Sequence, residues 1–79
     1  MYENQFNNIK LFPNPVVGDY INIEGINSNF ETKIFNVLGK LVLQSVNSKT
    51  INISNLQSGI YLVELSSDNS FITKKIIIE

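Results

Sequence analysis

Two of the side chains that most often do chemistry are missing from this sequence. It contains no histidine and no cysteine. Ser–His and Cys–His nucleophile pairs are therefore excluded, as are zinc sites built from Cys or His. What remains is a set of seven carboxylates (Glu3, Asp19, Glu24, Glu31, Glu64, Asp68 and Glu79) and six lysines, with no arginine. Two carboxylates facing one cleft could hydrolyse a glycoside, and clustered acidic oxygens could hold calcium. Here the acids are scattered, no Asp-x-Asp-x-Asp run occurs, and most fall on expected outward faces or loops. The four glycines are isolated, so there is no glycine-rich phosphate loop. The expectation is a domain that is not an enzyme and uses no cofactor, no metal and no small-molecule substrate.

Two features could instead serve binding. Lys74-Lys75 is followed by Ile76-Ile77-Ile78. Side chains alternate along a strand, so at least one of these isoleucines must turn away from the core. The tail is then either a strand covered on both faces or a partly apolar exposed edge suited to docking. The lysine pair itself fits a guard that keeps an edge strand from aggregating. Sugar binding would need flat, exposed aromatics. There is no tryptophan, Tyr2 falls in the polar leading stretch, and Tyr20 alone is a candidate, more simply read as a half-buried strand residue. A net charge of −1 without arginine argues against nucleic acid as a partner. No stretch approaches the ~20 apolar residues of a membrane-spanning helix. Nor does the N-terminus carry the charged and apolar regions of a signal peptide.

The elements that must position these residues are strands. At 79 residues the chain has room for one domain. A domain of this size buries only about 60% of its unfolded surface. Ile, Val, Phe, Tyr and Thr are abundant, alanine is absent, and Asn and Ser gather between the apolar runs. Residues 1–8 read as a polar linker stub. Seven short strands are expected over 9–12, 19–24, 30–37, 40–46, 50–53, 59–66 and 71–78. Starts recurring at roughly 8–12 residues, with no 3.6 period, predict an all-β, Ig-like or Greek-key sandwich of antiparallel strands over residues 9–79.

Three turns have a mechanism. Asn36-Val37-Leu38-Gly39 suits a type I turn with Gly39 left-handed, giving a bulged hairpin. Ser66 to Ser70 is a polar connection between the last two strands. Leu56-Gln57-Ser58-Gly59-Ile60-Tyr61 has the form of a tyrosine corner, which predicts that the Tyr61 hydroxyl bonds backbone near Gln57. Pro13 and Pro15 lack a backbone donor and end the first ladder.

Four segments together resemble the C-terminal sorting domain of the type IX (Por) secretion system. Leu11-Phe12-Pro13-Asn14-Pro15-Val16 is similar to that family's Tyr-Pro-Asn-Pro opening, with Phe12 for Tyr. Ile34 to Val42 resembles its hairpin, Leu56 to Val63 its Leu-x-x-Gly-x-Tyr segment, and Thr73 to Ile78 its closing basic-then-aliphatic strand. The segments come in the family's order over about residues 9–79.

The resemblance implies a non-catalytic sorting signal at the end of a larger secreted precursor of the Bacteroidota. Its partners would be the outer-membrane translocon, a sortase-like peptidase that cuts in the linker, and a cargo domain in cis. The cargo would cross the periplasm and outer membrane to be secreted or held at the cell surface. Carried over by position, the sorting residues would be Pro13, Asn14, Pro15, Gly59, Tyr61, Lys74, Lys75 and Ile76. The chain departs from many members in ending on Glu79 rather than on a basic residue. The alternative reading is a fibronectin-like spacer or carbohydrate-binding module appended to a secreted enzyme.

Overall fold

The computed structural model describes residues 9–68 and 70–79. Seven strands run in chain order: β1 (Lys10–Phe12), β2 (Tyr20–Glu24), β3 (Glu31–Phe35), β4 (Leu41–Val46), β5 (Thr50–Asn52), β6 (Gly59–Ser67) and β7 (Ser70–Ile78). They form two sheets, one ordered β1-β2-β5 and the other β4-β3-β6-β7, and every strand pair is antiparallel. The chain crosses between sheets after β2, β4 and β5, as expected of an Ig-like sandwich. The expected linker at residues 1–8 lies outside the described residues.

Alternation decides what each strand buries. In β2, Ile21 and Ile23 point inward while Tyr20 and Glu24 are exposed. In β6, Tyr61, Val63 and Leu65 are buried, and in β7 Ile76 and Ile78 are. These meet Val16, Ile26, Phe30, Ile34, Ile51 and Ile53 in one core. With no disulfide to help, this core carries the fold. Each such side chain contributes about 1.5–3 kcal/mol when buried.

The asparagines explain why the loops hold their shape. The Oδ1 of Asn36 accepts from the N–H groups of Leu38 (2.9 Å) and Lys40 (3.0 Å). Gly39 N–H donates to the Asn36 carbonyl at 2.9 Å. Gly39 has a φ of 83°, the left-handed conformation anticipated for it. The expected bulge is also present, since Ile34 faces Leu43 whereas Phe35 faces Leu41. At the far end of the same hairpin Asn47 and Phe30 exchange bonds. Phe30 N–H donates to Asn47 Oδ1 at 2.7 Å, and Asn47 N–H donates to the Phe30 carbonyl at 2.8 Å. β3 is shorter than the expected 30–37 because Asn36 turns the chain. The last hairpin is tighter than its five polar residues suggested, because the β6–β7 ladder continues to Ser67 opposite Ser70.

One buried group is left without a partner among the described residues. Thr32 is fully buried on β3, and its Oγ1 makes no hydrogen bond. An unmet buried hydroxyl costs about 1–3 kcal/mol. Thr32→Val, which keeps the shape and removes the hydroxyl, should therefore raise stability by about 1 kcal/mol. In urea denaturation the midpoint should move up with an unchanged slope. A lower midpoint would mean that the hydroxyl has a partner after all.

Candidate functional site

The tail is an edge strand, not a central one. β7 pairs with β6 through a continuous register from Gly59–Ile78 to Ser67–Ser70, and no other named strand lies beyond it. Along an edge strand alternate residues turn their N–H and C=O outward. In β7 these are the odd-numbered residues, because the Lys75 carbonyl, both backbone groups of Ile77 and the Glu79 N–H have partners on that side.

Those partners come from the segment between β1 and β2. Asn14 Nδ2 donates to the Lys75 carbonyl at 3.3 Å, and its Oδ1 accepts from Ile77 N–H at 3.2 Å. A side-chain amide carries one acceptor and one donor group, so it imitates a neighbouring peptide unit. Val16 continues the pairing in parallel. Its N–H donates to the Ile77 carbonyl at 2.6 Å, and its carbonyl accepts from Glu79 N–H at 3.0 Å. Val16 is itself fully buried. Phe12–Pro13 and Asn14–Pro15 are both cis, and each proline lacks the N–H that would compete for these acceptors.

The edge of β7 is thus divided. From the Lys75 carbonyl to the Glu79 N–H it is sealed from within the chain. From Phe71 to Thr73 the outward N–H and C=O groups have no protein partner among the described residues. Phe71 is 67% exposed there.

The sorting residues inferred from the sequence separate into two groups. Tyr61 and Ile76 face each other across the ladder and are buried, and Gly59 faces Ile78. The Tyr61 hydroxyl donates to the Gln57 carbonyl at 2.7 Å, the tyrosine-corner bond. Gly59 has a φ of 152°, and a Cβ there would meet only Tyr61 Cε1 at 4.0 Å, an ordinary van der Waals contact. Its need for glycine is therefore conformational rather than steric. Pro13, Asn14 and Pro15 are exposed and lie against β7. Lys74 is half-buried and Lys75 exposed, and both line a groove with β1 residues including Lys10 and Leu11.

The sequence reading missed the bond between Asn14 and β7. The signal was an asparagine between two prolines, which places a single side-chain amide in a stretch poor in backbone donors. It also missed an apolar row across the outer face of the larger sheet. Leu41, Phe35 and Leu62 stand in register there, with Ile60 and Ile77 beside them. Tyr20 is exposed at 52%, with Asn22 and Glu24 following it on that face of β2. It has no aromatic row around it of the kind a sugar platform needs.

Asn14→Ala removes both bridging bonds and leaves the core untouched. It should cost about 1 kcal/mol, the worth of exposed hydrogen bonds at a partly solvated edge. Urea denaturation of the variant and the parent checks this. No change in midpoint would mean that water replaces the amide at no cost.

The family model for the secretion system C-terminal sorting domain matches residues 10–79. No curated protein matches the chain. The match spans every strand described above, from β1 through the sealed edge to the end of β7. This chain belongs to the family of type IX (Por) secretion C-terminal sorting domains, and its role is that of a sorting signal.

Proposed function

We propose that the domain acts as a non-catalytic address label on a larger precursor, and that the outer-membrane translocon of the type IX system reads the open part of β7. The observation that carries this reading is the divided edge. Backbone groups are presented at Phe71 and Thr73 on a scaffold whose remaining tail is closed by Asn14 and Val16. An incoming strand gains main-chain hydrogen bonds from such an edge, and flanking side chains set its register. Lys74 and Lys75 are placed to do this. Pro13, Asn14 and Pro15 contribute indirectly by confining pairing to one half of the strand. Gly59, Tyr61 and Ile76 serve folding.

The cargo lies in cis on the N-terminal side. A sortase-like peptidase cuts within or before residues 1–8, and the cargo is released or fixed at the cell surface. Bacteroidota, in which this export route operates, are the fitting host.

Deleting β7 would remove Ile76 and Ile78 from the core, so loss of export on deletion would not separate recognition from folding. Thr73→Pro is a cleaner test. The Thr73 N–H points away from β6, and proline is tolerated on an edge strand where the donor faces solvent. A reporter fused ahead of residues 1–79 and expressed in a type IX-competent host should reach the surface. The Thr73→Pro fusion should stay in the periplasm while the domain still unfolds cooperatively in urea. Equal surface delivery of both folded fusions would refute the reading.

A further inference from the structure

Among the described residues, the groove between the margins of the two sheets is lined by charge of one sense only. It encloses about 530 Å³ between β1 and β7, with Lys10, Lys74 and Lys75 on its walls and Asn14 bounding it where the sealed edge begins. Half of the six lysines line it, and among the described residues no carboxylate does. Lys10 has Glu24 as its cross-strand neighbour on β2. Lys74 and Lys75 face Val63 and Leu62 across the ladder, so neither has an opposite charge directly opposite.

Lys74 sets the selectivity. It stands in the alternating set of β7 that includes the buried Ile76 and Ile78, so it points to the inner side of an edge strand. A charge there is one of the devices that stop strands from adding to a sheet edge. A neutral strand laid along Phe71–Lys75 would cover the ammonium and supply nothing to balance it. Burying an unpaired charge is strongly unfavourable. An acidic side chain at the same position reverses the effect. Directly opposed residues on neighbouring strands have Cβ atoms about 4.5–5.5 Å apart, close enough for a carboxylate to meet the ammonium. Lys10 lines the β1 wall but stands with Phe12 in the outward set of that strand, beside Glu24, so it adds positive charge only at longer range. A second copy of β7 brings its own two lysines to the same edge, so self-pairing sets like charges together.

We propose that the β1–β7 groove binds an extended acidic segment of a partner protein, added as a strand to Phe71–Lys75 with a carboxylate opposite Lys74. The segment belongs to the export machinery, a point that rests on the sorting reading; the charge selectivity of the groove does not.

The test is a residue-resolved NMR titration of the 79-residue chain with short synthetic peptides. These alternate valine and threonine and carry either aspartate or serine at the groove-facing position. The aspartate peptide should perturb the amides of Phe71 to Lys75 and bind about tenfold or more tightly than the serine peptide. Added salt should narrow the difference. Lys74→Glu should abolish the preference for aspartate and favour a lysine peptide. Lys10→Glu, at an exposed position on β1, gives a second variant that should weaken aspartate binding should Lys74→Glu fail to fold. Equal binding of the two peptides, binding of neither, or perturbations confined to the outer face around Leu62 would overturn the proposal. Loss of export in Thr73→Pro without peptide selectivity would retain the sorting reading and remove this one. Peptide selectivity with normal export of Thr73→Pro would do the reverse.

Discussion

A strand at the margin of a sheet holds every second peptide group away from its neighbour, and those groups must find water, another chain or some other part of the protein. How β7 meets that demand organises the rest of this domain. Near its C-terminal end the demand is met internally, by the Asn14 amide and then by the Val16 backbone. Pro13 and Pro15 flank the amide and add no donors of their own. Near its start no described residue meets the demand, and it is left to the surroundings. One strand is therefore both a finished part of the fold and an unfinished one, and the boundary falls at Lys75.

A divided edge is useful only if the scaffold holds it still, and the scaffold here has no covalent help. The longest ladder in the molecule, between the nine-residue β6 and β7, supports the edge from behind. Buried Tyr61 and Ile76 stand opposite each other in that ladder. The hydroxyl of Tyr61 ties the start of β6 to the loop carrying Gln57. The residues that define the family's second signature thus act at one remove from the edge, by fixing the strand against which β7 lies. The residues that the sequence singled out do not gather in one place. Lys74 and Lys75 lie on the edge strand, Asn14 bonds to it, and Gly59, Tyr61 and Ile76 belong to the ladder behind it.

Much of this was legible in the sequence. Alternation of Ile and Val with polar residues placed all seven strands. The order Leu56 to Tyr61 gave the tyrosine corner and its acceptor, and Asn36 with Gly39 gave the bulged turn. These signals are local, and local chemistry fixes them. The division of the edge depends instead on residues far apart in the chain, since Asn14 meets Ile77 across a sequence separation of 63. Periodicity carries no information about which strand ends up at a margin or which loop folds over it. The outer apolar row was hidden for a related reason. Phe35, Leu41 and Leu62 each look like ordinary strand residues, and only cross-strand register brings them side by side.

Amide hydrogen exchange along β7 tests the divided edge most directly, because outward-facing amides of the same strand are compared under the same conditions. Ile77 and Glu79 should exchange slowly, nearly as slowly as the amides that face β6, while Phe71 and Thr73 should exchange fast. Protection of Thr73 equal to that of Ile77 in the isolated domain would contradict the account, because no part of the edge would then be open to a partner.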